Sequence, residues 1–358
     1  MALSCRKLTI ILCCALGTGC SNLGYYAHSI SGQAKILAKR QPISELLEDP
    51  QTPAALTARL DTIMDIRDFA SHTLVLPDNG SYRSYVELNR RYVIWNVFAT
   101  PELAIEPVKW CFPIAGCVSY RGYFSDHRAN RYAEKLRDQN HDVYVAGVAA
   151  YSTLGWFDDP VLNTILDRPE PDIAGLIFHE LAHQKLYVKD DTTFNESFAT
   201  AVELEGIRRW LQHIGASGDY TGYMQRKQRR QDFVEFLMGY RHRLREVYDS
   251  PVTDAQKREA KARLFSELKS NYRQLKDRWG GYGGYDRWFA QDLNNAHLAS
   301  IGAYHRYVPA FQALLKKLNG DLPAFYREAG KLGTLPPEQR ELALNALGGR
   351  HTGGGSDP

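Results

Sequence analysis

The chain has 358 residues, of which 44% are hydrophobic and 24% are charged, and this is the composition of an ordinary globular protein with one large domain or two modest ones. The net charge of +3 does not indicate a nucleic-acid-binding protein. The one short basic run, residues 226–230, falls on a predicted helix and is typical of a solvated helix face.

The N-terminus is predicted to direct export. Arg6 and Lys7 precede an apolar run over residues 8–16, which is too short to anchor the protein across a bilayer and is typical of a secretory signal. The run ends in the letters LGTGC, which resemble a bacterial lipobox whose leucine lies one position further upstream than usual. We therefore predict a signal peptide over residues 1–19 and lipidation of Cys20.

A lipid on Cys20 would tether the protein to a membrane without spanning it. Ser21 follows the cysteine, where an Asp would indicate retention in the inner membrane. We therefore expect an outer-membrane lipoprotein that faces the periplasm. The alternative is an ordinary cleaved signal peptide, which would leave the protein soluble in the periplasm.

Cysteine usage agrees with export. Four of the six cysteines lie within the first 20 residues, which leaves Cys111 and Cys117 in the body of the protein. A segment with a proline and a glycine separates the two, and this suits a small disulfide loop formed in an oxidising compartment. The alternative is half of a zinc site, but no second cysteine pair exists to complete it.

The first half of the chain is predicted to mix helices and strands. Helical spacing of apolar residues predicts a helix over 53–76, and residues 30–49 also look helical. Residues 93–124 are rich in β-branched and aromatic residues and broken by prolines, which indicates strands and turns. A short amphipathic helix over 126–139 and a strand over 142–151 follow.

We expect these strands to form one small sheet at about residues 93–155, ahead of the metal motif described below. Such a sheet suits a peptidase, because its edge strand can pair with an extended substrate, although an ordinary buried strand is the alternative. The fold class is thus α+β and mainly helical, in a single domain over residues 20–347 with a disordered tail over 348–358. Further helices are predicted over 193–215, 221–249, 253–278, 286–317, 320–330 and 336–346.

The motif H-E-x-x-H at His179, Glu180 and His183 carries the chemistry. On a helix, residues i and i+4 share one face, so both imidazoles can bind one metal ion. Glu180 stands beside them, where its carboxylate could take a proton from a metal-bound water. Two histidines on a largely apolar helix would be costly to bury without partners, although hydrogen-bonded core histidines remain the alternative.

A third ligand is expected nearby, because catalytic zinc sites typically keep three protein ligands and one open position for water. Glu196 follows His183 by thirteen residues, and a second helix that folds back antiparallel could aim it at the metal. The alternative is a capping box in which Thr193 and Glu196 close the start of that helix. Asp190 and Asp191 are other candidate ligands.

The letters HELAH followed by NESFA resemble the gluzincin pattern of thermolysin-like and aminopeptidase-like zinc enzymes. With WCFPIAGCVSYRGYF and AYSTLGWFDDPVL, the chain is also similar to a family of predicted bacterial aminopeptidase lipoproteins over roughly residues 16–315. This resemblance implies a zincin-like zinc peptidase. It implies that His179, His183 and Glu196 bind one Zn²⁺ and that Glu180 is the base.

The chain departs from the thermolysin pattern in two ways. The spacing from His183 to Glu196 is shorter, and Thr200 stands where thermolysin-like enzymes carry an Asp that orients a ligand. Glu203 lies seven residues after Glu196 on the same helix face. It is therefore a candidate ligand or a carboxylate that steadies a ligand imidazole.

We expect a zinc-dependent peptidase acting on a peptide substrate, an aminopeptidase by the resemblance, whose oligomeric state the sequence leaves open. The alternatives are an endopeptidase on envelope proteins and a non-catalytic zinc-binding lipoprotein. Tyr304 and His297 are candidates for the donor that stabilises the oxyanion. Asp158, Asp159 and Glu203 are candidates for the acid that an aminopeptidase needs to hold the free amine of its substrate.

Overall fold

A computed structural model describes the chain over residues 24–112, 116–153, 155–301 and 306–349. The predicted signal peptide, the lipidation site Cys20 and the candidate oxyanion donor Tyr304 lie outside these residues. Helices make up 61% of the structure, and the strands form small sheets. The prediction of a mainly helical α+β protein is therefore confirmed.

The elements alternate between helix and strand before the metal motif and are helical after it. The first part contains α1 (residues 24–38), β1 (Gln41–Pro42), α2 (Ile43–Glu48), α3 (Ala54–His72), β2 (Ser84–Val86), β3 (Ile94–Pro101), β4 (Trp110–Phe112), β5 (Gly116–Val118), β6 (Arg121–Tyr123), α4 (Asp126–Arg137), β7 (His141–Val148), β8 (Val161–Leu162) and α5 (Asn163–Leu166). The second part contains α6 (Glu170–Lys185), α7 (Thr192–His213), α8 (Asp219–Asp249), α9 (Asp254–Arg278), α10 (Asp286–Phe289), α11 (Asn295–Ala299), α12 (Val308–Lys317), α13 (Leu322–Thr334) and α14 (Pro337–Leu347).

Two predicted helices are wrong because the chain breaks inside them. The helix expected over 30–49 is α1 and α2, and Pro42 separates them as the N-cap of α2. The helix expected over 286–317 is α10, α11 and α12. Asn294 starts α11 by accepting a hydrogen bond from a main-chain N–H, and α12 begins with a proline in its first turn, where no amide donor is needed.

Two small sheets stand where one was expected at about residues 93–155, and a third sheet lies outside that segment. In the central sheet, β3 pairs antiparallel with both β6 and β7, in the order β6-β3-β7. A hairpin of β4 and β5 is closed by a disulfide between Cys111 and Cys117. The third sheet joins β1, β2 and β8, and all three of these strands lie outside the expected segment.

The metal motif lies in the main hydrophobic core. Helices α6 and α7 pack antiparallel. This orientation brings Glu170 at the start of α6 next to Trp210 near the end of α7, and the Trp210 indole donates a hydrogen bond to the Glu170 carboxylate at 3.0 Å. Gly206 permits the close approach, since a Cβ there would come within 2.6 Å of the Phe178 ring. The core beneath them also draws on α3, α12 and α13.

Helices α8 and α9 form a long hairpin with a second core of its own, built on Leu237, Leu268 and Leu275. The start of α8 belongs instead to the main core, through the fully buried Tyr223. Helix α8 therefore connects the two cores. Within the described part of the chain, no helix has the combination of length and hydropathy that crossing a membrane requires.

Candidate metal centre

Three side chains from α6 and α7 converge on one point. The Nε2 atoms of His179 and His183 lie 3.2 Å apart, and Glu196 carboxylate oxygens lie 3.3 Å from His179 Nε2 and 3.5 Å from His183 Nε2. His183 is buried, whereas His179 and Glu196 are partly exposed to a cavity. This cluster of two imidazoles and a carboxylate could hold a metal ion.

Side chains at the start of α7 stabilise the short turn between α6 and α7. The buried Asn195 amide donates to the carbonyl of Val188 at 2.7 Å and accepts from its N–H at 2.8 Å. Asp191 is the N-cap of α7 and accepts from the Phe194 N–H at 2.9 Å. Because Asp191 is the N-cap, α7 does not begin with the alternative capping box at Thr193, and Glu196 lies with the two histidines instead.

The two other acids near this turn have different surroundings. Asp191 forms a salt bridge with Arg340 at 2.5 Å, in addition to its capping hydrogen bond. Asp190 is exposed and has a positive φ of 62°, which marks the sharp turn of the chain before α7. Neither residue belongs to the cluster that could hold a metal ion.

Glu203 supports the outer nitrogen of a candidate ligand. Its Oε2 lies 3.1 Å from His179 Nδ1, and its Oε1 accepts hydrogen bonds from Lys227 Nζ at 2.6 Å and from the Tyr223 hydroxyl. Gly175 leaves room for this contact, since a Cβ there would come within 2.9 Å of the Tyr223 oxygen. Glu203 thus steadies an imidazole, as anticipated, although the sequence did not indicate its partners on α8.

Charges in the cluster favour a bound cation. Burial opposes the charged form of His179, but hydrogen bonds to Glu196 and Glu203 outweigh burial and raise the pKa of this histidine to about 10. Burial acts against ionisation of both carboxyls as well. The hydrogen bond to His179 still lowers the pKa of Glu203 to about 2, and hydrogen bonds to both histidines hold the pKa of Glu196 further below its usual range. The carboxylates of Glu196 and Glu203 therefore stabilise a positive charge placed between them.

Glu180 points toward a separate group of polar side chains. Burial raises the pKa of its carboxyl, while the two histidines and a hydrogen bond from Ser152 act in the opposite direction. The Ser152 hydroxyl also lies 3.3 Å from a carboxylate oxygen of the buried Asp159. Burial, followed by the charges of Glu180 and Asp159, raises the pKa of Tyr82 well above its ordinary range.

Tyr82 and Ser152 were not found by sequence reasoning. Tyr82 has a φ of 62°, and its N–H donates to the Asp159 carbonyl at 2.7 Å. The loop that carries it is held by the fully buried Arg67, which donates to three main-chain carbonyls, and by Gln184 of α6. An isolated tyrosine in a loop has no local pattern that would reveal this placement.

Two cavities adjoin the centre. One, of about 290 Å³, is lined by His179, Glu180 and Glu196 and by four basic side chains. The other, of about 790 Å³, is mainly apolar and lies between α1 and the central sheet. It reaches Ser152, whose side chain is hydrogen-bonded to Glu180.

The expected edge strand is β7, which pairs with β3 on one side and leads within four residues to Ser152. Part of its other side is occupied, because the Asn294 amide donates to the Val143 carbonyl at 3.2 Å. His297 lies in the same region and stacks on Tyr144 with ring centroids 4.0 Å apart. We therefore assign His297 a packing and capping role rather than a role at the metal.

The acids considered for amine binding have different surroundings. Both oxygens of the Glu203 carboxylate already have partners: Oε2 contacts His179, and Oε1 accepts hydrogen bonds from Tyr223 and Lys227. Asp159 is buried and accepts hydrogen bonds from Ser152 and Thr153. Asp158 is exposed. The geometry thus makes Glu203 a structural carboxylate.

Comparison with known families gives one match. The family described as "Putative aminopeptidase" matches residues 24–344, which is most of the chain. No curated protein and no solved structure matches significantly. The matched range contains both helices of the metal centre, the central sheet and the α8–α9 hairpin.

Proposed function

The chain belongs to the putative aminopeptidase family, and we propose that it is a zinc-dependent peptidase of the zincin type. The observation that carries this proposal is the convergence of His179, His183 and Glu196, with the partly buried Glu180 beside them in the same cavity. In this proposal the first three residues bind one zinc ion and Glu180 is the general base.

The donor set and its dimensions support zinc. Two ligand atoms of a tetrahedral zinc site with bonds of about 2.0–2.2 Å lie roughly 3.3–3.6 Å apart. The two Nε2 atoms of this cluster are 3.2 Å apart, and the two Glu196 oxygens lie 3.3 Å from His179 Nε2 and 3.5 Å from His183 Nε2, respectively. Two imidazoles and one carboxylate, with space beside them, are also the ligands of catalytic zinc in peptidases.

His179, His183 and Glu196 would hold the zinc ion, which would supply a water of lowered pKa and polarise the scissile carbonyl. Glu180 would be the base that accepts a proton from this water and returns it to the leaving amine. Ser152 orients Glu180 through its hydroxyl. From the sequence alone, we also propose Tyr304 as the oxyanion donor, since the oxyanion needs a donor besides zinc.

The direct test combines metal analysis with peptide hydrolysis. We expect about one zinc per chain, and we expect Glu180→Gln to retain the zinc while kcat falls by about 100-fold or more. Glu205→Gln is the matched control, because Glu205 is on α7 but pairs with Arg208 and Arg209. A Glu180→Gln protein that hydrolyses peptides like the parent would contradict the assignment of the base.

Specificity for a free N-terminus follows from the family name and is tested separately. We propose that the enzyme removes N-terminal residues, so it should cleave a peptide with a free amine and not the same peptide after N-acetylation. Equal cleavage of both, or cleavage inside the acetylated peptide, would indicate an endopeptidase. Substoichiometric zinc together with no hydrolysis would sink the peptidase proposal altogether.

We also propose that the protein is exported and lipidated on Cys20. The proposal rests on the N-terminal sequence and is supported by the Cys111–Cys117 disulfide, since such bonds persist in oxidising compartments. Labelling with radioactive palmitate should mark the full-length protein in a bacterial host, and Cys20→Ser should abolish the label. Retention of the label in Cys20→Ser would exclude this anchor.

A further inference from the structure

The smaller cavity beside the metal centre is lined by four basic side chains, and two of them have no salt-bridge partner among the described residues. Its basic lining residues are Arg168, Arg226, Lys227 and Arg230. Arg226 forms a salt bridge with Asp172 at 2.5 Å, and Lys227 forms one with Glu203 at 2.6 Å. Neither Arg168 nor Arg230 forms a salt bridge with any carboxylate in the described part of the chain.

These two arginines come from different elements and share one space. Arg168 lies between α5 and α6 and is partly buried, and Arg230 is on α8. Burial lowers the pKa of Arg168, and the charge of Arg230 lowers it further, against an opposing contribution from Asp172. Arg230 is exposed, and the two guanidinium groups line one cavity without a salt-bridge partner, so a bound anion would be stabilised by both.

The cavity is continuous with the reacting centre. Glu180, His179 and Glu196 line the same space of about 290 Å³ as the two arginines. An anion bound by the arginines would therefore belong to a molecule that also reaches the metal. In a peptide, the anionic group that fits the planar guanidinium in a two-point contact is a carboxylate.

Resting on the proposed peptidase function, we infer that Arg168 and Arg230 bind a carboxylate of the substrate, carried by a residue next to the scissile bond. The carboxylate can be the C-terminus of a short peptide or the side chain of an Asp or Glu. The enzyme then selects for anionic short peptides or for acidic residues at this position. Arg168 and Arg230 are specificity residues and take no part in the chemical step.

The test uses three matched dipeptide substrates, Leu-Ala, Leu-Ala-amide and Leu-Glu-amide, on the zinc-loaded full chain. We expect kcat/KM to be about 10-fold or more higher for a carboxylate-bearing peptide than for Leu-Ala-amide, mostly through KM. A preference for Leu-Ala identifies the C-terminus as the ligand, and a preference for Leu-Glu-amide identifies the acidic side chain.

Substitution assigns the preference to these residues. The double variant Arg168→Gln, Arg230→Gln should lose the preference while it hydrolyses Leu-Ala-amide like the parent. Arg229→Gln is the matched control, because Arg229 adjoins Arg230 on α8 but lies over the Tyr282 ring, 4.5 Å from its centroid. Equal kcat/KM for all three peptides in the parent overturns the inference, even if the double variant does not fold, and leaves the peptidase function standing.

A binding measurement covers the case in which no dipeptide is hydrolysed. Calorimetry with the Glu180→Gln protein should show tighter binding of Leu-Ala or Leu-Glu-amide than of Leu-Ala-amide. If neither carboxylate-bearing peptide binds more tightly, the inference is wrong. If one does while the parent hydrolyses no peptide of any kind, the carboxylate site is retained and the peptidase proposal fails.

Discussion

Glu203 orients His179 from a position three residues beyond the one that the thermolysin pattern uses. Residue 200 is a threonine, whereas the Glu203 carboxylate lies 3.1 Å from His179 Nδ1 and is held in turn by Lys227. A carboxylate on the outer nitrogen fixes the ring and increases its basicity toward a metal. In the proposed peptidase, Glu203 would therefore take the orienting role that the Asp has in the thermolysin pattern.

This contact predicts the effect of a single substitution. Glu203→Gln keeps the size of the side chain but removes the charge that supports His179, so the affinity for zinc should fall by about 10–100-fold. The measurement is a competition titration with a fluorescent zinc chelator. Glu205→Gln should retain the parent affinity, and an unchanged affinity in Glu203→Gln would show that the charge of Glu203 does not contribute to metal binding by His179.

The candidate site divides into residues that the sequence could reveal and residues that it could not. His179, Glu180 and His183 follow from a local helical spacing, and Glu196 follows from the short link to a second helix. Ser152, Lys227 and the basic cavity residues come from other elements of the chain. Lys227, for example, lies 24 residues after its partner Glu203. No local pattern records such contacts, because they depend on how the elements pack.

At the scale of elements, the link between α6 and α7 determines whether the metal ligands meet. Both main-chain groups of Val188 are satisfied by the Asn195 side chain, which is buried. Buried main-chain groups that lose a partner are costly. The asparagine before Glu196 therefore has a structural role that accounts for its place in the sequence NESFA.

Removal of this side chain should destabilise the protein and weaken the metal site together. Asn195→Ala leaves the Val188 N–H without its partner and the Val188 carbonyl with only the Asp191 N–H as donor, and we expect the free energy of unfolding to fall by about 1–3 kcal/mol. Urea denaturation measures this change. Asn195→Asp keeps the acceptor for the Val188 N–H and should be intermediate. An unaltered midpoint and zinc affinity in Asn195→Ala would contradict the proposed role of this turn.

His297 makes the junction of β7 and α11 sensitive to acid. Burial, with a smaller contribution from the charge of Lys269, lowers the pKa of His297 to about 4, and the ring stacks on Tyr144. An unfolded histidine has a pKa of about 6.5, so between about pH 6.5 and 4 the unfolded chain binds a proton that the folded protein does not. The stability supplied by this group is therefore lost as the pH falls through that range.

The expected loss is on the order of 3 kcal/mol between pH 7.5 and pH 4, from about 1.4 kcal/mol for each unit of pKa difference. Urea denaturation at a series of pH values measures it. His297→Gln should remove this part of the pH dependence. His242→Gln should not, because His242 is exposed on α8. Parallel curves for the parent and His297→Gln would refute the assignment.

The whole molecule shows why the helical half was predictable and the sheets were less so. Helices α7, α8 and α9 begin and end within two residues of the predicted bounds, because their apolar spacing continues over many turns. The sheet of β1, β2 and β8 joins strands of two or three residues that are up to about 120 residues apart. Strands that short have no periodicity, and their pairing is set by the packing of α3 and α6 around them.

Metal binding should act on one core more than on the other. All three candidate ligands belong to α6 and α7 in the main core, and α8 reaches that core only through its first part, near Tyr223 and Lys227. The second part of α8, near Leu237, packs with α9 in a separate core. A ligand that binds only the folded state stabilises the segments that must unfold to release it.

Removal of zinc by a chelator should therefore lower the melting temperature and reduce hydrogen-exchange protection unevenly. A zinc concentration a thousandfold above its Kd adds about 4 kcal/mol to the stability of the folded state, and the chelator removes this contribution. Protection should fall in α6, α7 and the start of α8 and change little in α9. The effect should persist in Glu180→Gln, which keeps the ligands, and should be absent in His183→Ala. If protection falls equally in α9, the two cores unfold as one unit, because α8 then transmits the loss of the metal along its whole length.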